Sequence, residues 1–76
     1  PLGWEHALEA EAQKLLATGE PDVWDVLNRR FESQLIRTAL VATHGRRMEA
    51  AQRLGIGRNT ITRKIQELGL DAADEG

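Results

Sequence analysis

The sequence predicts an all-α fold of four helices, and three observations carry that reading. Proline stands only at positions 1 and 21, and glycines divide the chain into four helix-sized pieces. Within each piece apolar residues recur at three- and four-residue steps, the period of a helix with one buried face. No segment shows the alternation of β-branched residues that marks a half-buried strand.

The first expected helix runs from about Trp4 to Ala17, with Trp4, Leu8, Ala12, Leu15 and Leu16 on one stripe. Gly19 and Pro21 end it. The second begins near Asp22, whose carboxylate suits a helix N-terminus. It reaches about Thr43, or roughly 33 Å at 1.5 Å per residue. Trp24, Leu27, Phe31, Leu35, Thr38 and Ala42 form one seam along it, and Val23, Val26, Ile36 and Leu40 add a second apolar edge. A stripe this wide on a long helix requires burial on two sides, as in a bundle shared between subunits. Gly45 is expected to close the helix as a left-handed cap, with His44 as its last residue. The third helix spans Arg47 to Leu54 with Met48, Ala51 and Leu54 inward. After the tight turn Gly55-Ile56-Gly57, the fourth spans Arg58 to Leu68 with Ile61, Ile65 and Leu68 inward and Gly69 as its cap.

Because the chain does not begin with Met, residues 1–3 read as a linker or tag remnant of an excised piece. Residues 71–76 form an acidic tail expected to fray. Residues 4–70 are expected to make one domain, 4–44 as dimerisation helices and 45–70 as a helix-turn-helix.

A domain of this size rarely gains more than about 3–5 kcal/mol from its own core. Disulfides, a metal or oligomerisation are the usual remedies. The chain has no cysteine, and His6 and His44 lack ligand spacing, so no metal or cofactor is expected. Oligomerisation is the remedy left. No apolar run approaches the ~20 residues that cross a bilayer, and the acidic amphipathic start is not a signal peptide. A cytoplasmic location without membrane contact is expected.

The net charge of −2 conceals a polarised chain. Residues 1–33 carry seven acids and three bases, residues 34–70 carry two acids and seven bases, and residues 71–76 carry three acids. One basic unit, local charge +5, lies between two acidic ones, and only that local field matters to a phosphate backbone.

Inside the basic unit Ala51, Gly55 and Ile61 have helix-turn-helix spacing: a small residue for close approach, a glycine for the reversal, and a plug between the helices. At ~100° per residue, inward Ile61, Ile65 and Leu68 put Asn59, Arg63 and Gln66 outermost, flanked by Arg58, Thr60 and Lys64. Arginine and asparagine make bidentate contacts with guanine and adenine edges, so Arg58, Asn59 and Arg63 are candidate base contacts. Arg46, Arg47, Thr60 and Lys64 are candidate phosphate contacts. Trp4, Trp24 and Phe31 lie on apolar stripes in the acidic part, which favours core or interface over base stacking. Leu8, Leu15, Trp24, Leu27, Phe31 and Leu35 are the candidate dimer contacts. Met48 reads as core filling, and Arg37 and Arg53 as solvated or salt-bridged. Glu49 and Glu67 do not make an acid/base pair, and no nucleophile, phosphate loop or metal constellation points to an enzyme.

Residues 45–69, Gly-Arg-Arg-Met-Glu-Ala-Ala-Gln-Arg-Leu-Gly-Ile-Gly-Arg-Asn-Thr-Ile-Thr-Arg-Lys-Ile-Gln-Glu-Leu-Gly, resemble the C-terminal motif of the Fis family. The run Gly57 to Gly69 resembles in particular the nitrogen regulatory protein C subgroup of sigma-54-dependent, enhancer-binding response regulators. The similarity covers about residues 22–70, and residues 4–18 match it mainly as an amphipathic helix. It implies a homodimer whose first two helices form a four-helix bundle and whose recognition helices enter successive major grooves. It also implies a palindromic, enhancer-like double-stranded DNA site, upstream ATPase and receiver modules, a two-component system of nitrogen regulation and residence on the bacterial nucleoid. On the family motif the contacting positions are Arg58, Asn59, Thr60, Arg63 and Lys64. Gly57 stands where the nucleoid-associated Fis protein has a polar residue that touches DNA, which favours the activator subgroup. Two other functions share these features: architectural DNA binding driven by shape, and a helical dimerisation module that ignores DNA.

Overall fold

Four helices follow one another in the computed structural model, which describes residues 3–70. They are α1 (Trp4–Ala17), α2 (Val23–Ala42), α3 (Arg47–Leu54) and α4 (Arg58–Glu67), with no strand among the described residues. The linker reading of Pro1 and Leu2 and the fraying expected of residues 71–76 lie outside the described residues.

All four helices end the same way. The N–H of the residue after the turning position reaches back to a carbonyl five residues earlier: Glu20 to Leu15, Gly45 to Leu40, Ile56 to Ala51 and Leu70 to Ile65, at 3.0, 2.8, 2.9 and 2.9 Å. This is the Schellman closure, whose turning residue must be left-handed. Glycine fills that place after α1, α3 and α4, but after α2 it is His44, at φ 56°. The cap expected at Gly45 is therefore one residue earlier, and Gly45 follows it, also left-handed at φ 81°.

Asp22 does stand at the start of α2, but its expected capping by carboxylate is not realised. Its backbone is left-handed, φ 59°, rather than extended, and the side chain makes no capping hydrogen bond. An N-cap side chain reaches the free N–H groups from an extended backbone.

The core joins the second half of α2 to the last two helices. Ile36, Leu40, Ala50, Ala51, Ile61, Ile65 and Leu70 are buried together, with Ala39, Leu54, Ile56 and Leu68 packed partly against them. One expectation changes here, and one core residue was not foreseen. Met48 is 46% exposed and does not fill the core. The inner face of α3 is centred on Ala50, Ala51 and Leu54, and at ~100° per residue Met48 lies about a third of a turn away. Leu70, beyond the expected glycine cap, is fully buried. It takes the position after a left-handed cap where an apolar residue folds back on the helix.

Thr43 is the one buried polar residue among those described. Its single hydroxyl proton lies within reach of the carbonyls of Ala39 at 2.9 Å and Arg46 at 3.2 Å, so one donor serves the end of α2 and the start of α3.

Helix α1 buries none of its residues. It lies on α2 through a stacked Trp4–Phe31 pair, ring centres 6.3 Å apart, and an Arg30–Glu11 ion pair at 3.1 Å. The two apolar edges of α2 part company: Ile36 and Leu40 enter the core, while Trp24, Phe31 and Leu35 remain 85, 49 and 44% exposed.

Candidate nucleic-acid interface

Helix α4 is held from within by fully buried Ile61 and Ile65. The opposite side is therefore fixed in direction, and Asn59, Arg63 and Gln66 are exposed along it, while Arg58 is exposed at the first residue of the helix, above the Ile61/Ile65 stripe. The turn before it is short because Gly55, at φ 80°, reverses the chain in one residue with no neighbour within 4 Å of a would-be Cβ. Gly57 starts α4 without a side-chain cap, which leaves the first-turn N–H groups available at the basic end.

Arg63 lies along its own helix, Nη1 3.3 Å from Glu67 Oε2. Arg46, at the start of α3, makes an equivalent pair with Glu49 at 3.3 Å. Arg47 begins α3 and is half-buried, and Thr60 is half-buried on the flank of α4. Arg58 borders an open depression with Met48, Gln52 and Ile56, so the exposed side of α3 meets the start of α4 there.

Lys64 departs from the outer group. Its Nζ is 3.0 Å from Glu32 Oε1 on α2, and both side chains are only 24% exposed. The wheel explains this, since position 64 lies nearer the Ile61/Ile65 side than the Asn59/Arg63 side. The structure thus puts Asn59 and Arg63 on one open face, leaves Arg58 exposed at the start of the helix beside α3 and Arg46 exposed at the start of α3, and turns Lys64 inward. Sequence reasoning missed the acids that engage these bases. The i, i+4 spacing of Arg63 and Glu67 and the i, i+3 spacing of Arg46 and Glu49 were legible signals. Glu32, 32 positions from Lys64, had no local signal.

Residues 29–68 match the family described as bacterial regulatory protein, Fis family. The chain belongs to the Fis family. The matched stretch of this Fis-family chain begins in α2 and takes in the whole helix-turn-helix. Among curated relatives, the DNA-binding transcriptional regulator NtrC of Escherichia coli strain K12 is 39% identical over 71 residues, 93% of this chain and 15% of that protein. The protein of the same name from Klebsiella pneumoniae gives the same figures. That of Rhizobium meliloti strain 1021 is 44% identical over 48 residues, 63% of this chain and 10% of the relative. The chain thus matches only 10–15% of the length of these relatives. No solved structure matches it. Among the described residues no helix is long and apolar enough to cross a membrane.

Proposed function

We propose that this Fis-family chain binds double-stranded DNA sequence-specifically as a homodimer. It would serve as the enhancer-binding and dimerisation domain of a cytoplasmic bacterial transcription regulator of the sigma-54-dependent activator type. The observation that carries the reading is the open face of Asn59 and Arg63, with Arg58 exposed at the first turn of the same helix, backed by fully buried Ile61 and Ile65. Side chains on a helix so anchored can enter a major groove without losing the core that orients them.

In this reading Arg58, Asn59 and Arg63 address base edges, while Arg46, Arg47 and Thr60 address phosphates. Lys64 reaches a phosphate only by leaving Glu32. Leu8, Leu15, Trp24, Leu27, Phe31 and Leu35 form the dimer contacts. Exposure of Trp24, Phe31 and Leu35 in the single chain supports this, because so large an apolar face on so small a domain is costly in water. The DNA-binding regulators to which the chain is similar support the DNA partner, and their greater length leaves room for the upstream ATPase and receiver modules that the resemblance implies.

The deciding experiment is fluorescence anisotropy with a random-sequence duplex and a selected palindromic library, at two salt concentrations. Salt-sensitive binding with enrichment of a palindrome is the expected result. Binding without enrichment would replace this reading with shape-driven architectural binding, and no binding at low salt would leave a helical interaction module.

A further inference from the structure

Helix α2 is a wall between two surfaces. Trp24, Leu27, Phe31 and Leu35 lie on one side, and Arg29, Glu32, Ile36 and Leu40 run along nearly the opposite one at ~100° per residue. On that second side the C-terminal half is apolar, with Ile36 and Leu40 in the core. The N-terminal half carries Arg29 and Glu32, which reach the far end of α4. There Glu32 Oε1 takes Lys64 Nζ at 3.0 Å, and Arg29 Nη2 donates to the backbone carbonyl of Glu67 at 3.3 Å. Glu67 also approaches Lys64, at 4.0 Å, so both attachments converge on the last turn of α4.

The apolar core grips α4 by Ile61 and Ile65 and its closing turn by Leu68 and Leu70. The two polar attachments add a tie from that same end to the N-terminal half of α2, which the core does not reach. A carbonyl at a helix C-terminus is a good place for a cation, which favours the Arg29 contact. The half-sheltered position of the Glu32–Lys64 pair screens it less than a fully exposed one.

We infer that Arg29 and Glu32 are positioning residues that set the half-site spacing this domain accepts, by fixing the angle of α4 against the helix that carries the dimer face. The inference rests on the dimeric DNA-binding reading above. In a dimer the α2 axes are set by the seam, so a change in the α2–α4 angle moves two recognition helices in opposite directions. One base pair of spacing is about 3.4 Å along the duplex, so a shift of that size between the two recognition helices changes which spacing fits.

The test compares the preferred palindrome with the same half-sites moved one base pair closer or farther, using this 76-residue chain and its Arg29→Met and Glu32→Ala variants. The wild type is expected to prefer one spacing. Each variant is expected to keep its helical signal and its affinity for that spacing while the preference falls by about fivefold, the scale of one ion pair. The salt dependence stays as it was, because no phosphate contact is added. Unchanged spacing ratios in both variants overturn the inference. So does a rise in Glu32→Ala affinity for every duplex with a steeper salt slope, since Glu32 would then merely compete with DNA for Lys64. Arg29→Met separates these, because it loosens α4 without releasing Lys64 from its acid. A wild type that does not distinguish a palindrome from random DNA overturns the reading beneath, and the inference falls with it. Palindrome preference with unaltered variant spacing sinks the inference alone.

Discussion

His44 occupies a backbone position that the other three helix ends give to glycine. Left-handed geometry costs an L-residue roughly 1–2 kcal/mol, although histidine tolerates it better than most. His44→Gly should therefore raise stability by about 1 kcal/mol, and His44→Val should lower it. Urea midpoints with an unchanged m value would measure both, and a destabilised glycine variant would show that the imidazole contributes more than the backbone loses. The same residue shows where sequence reasoning reached its limit. The neighbouring Gly45 drew the cap assignment, because only backbone geometry tells which of two adjacent residues turns first. Leu70 was missed although it carried a signal: a leucine immediately after a helix-closing glycine has a rule of its own. Arg63 carries the functional prediction at this scale. Arg63→Ala should weaken binding to the preferred site by about 1–3 kcal/mol and relax base preference at one position. An equal loss on all sequences, measured by anisotropy on a panel of duplexes, would assign Arg63 to a phosphate.

Helix α2 was readable as doubly apolar, and the structure separates its two edges. Ile36 and Leu40 are consumed by the chain's own core, while Trp24, Phe31 and Leu35 stay open. Spacing alone revealed both stripes, but which one a single chain buries depends on where α3 and α4 return, a long-range matter. The misplacement of Met48 has a similar origin: Ala50 and Ala51 are weak apolar signals, yet their small size is what lets α3 approach closely. Likewise the α4 face was legible by periodicity, whereas the inward turn of Lys64 depended on an acid from a distant helix. The open edge gives a sharp contrast between variants. Leu35→Asp or Phe31→Asp should leave a helical, monomeric protein with weakened DNA affinity, because neither side chain is buried in the single chain. Ile61→Ala, at a fully buried site, should cost about 2–5 kcal/mol of stability. Sedimentation and circular dichroism distinguish the two classes. A Leu35→Asp protein that still sediments as a dimer would place the seam elsewhere.

Across the whole molecule, charge and apolar surface are sorted to different ends. The acidic N-terminal part holds α1 and the start of α2, and the basic unit holds α3 and α4. Like-charge repulsion would keep the first end off a duplex while the second approaches. Two phosphate-directed arginines per subunit, Arg46 and Arg47, should give a dimer a slope of log affinity against log salt of about −4 or steeper. Titrations from low to physiological salt test it, and a flat response would remove phosphate contacts from the account. Helix α1 has a separate consequence. With no residue buried by its own chain, it has little protection from within. If pairing of subunits covers it, amide exchange along residues 4–17 should slow as protein concentration rises, while that of α4 stays constant. The amino-terminal helix would then act as an occupancy gauge, its backbone protons recording how many molecules have found a companion.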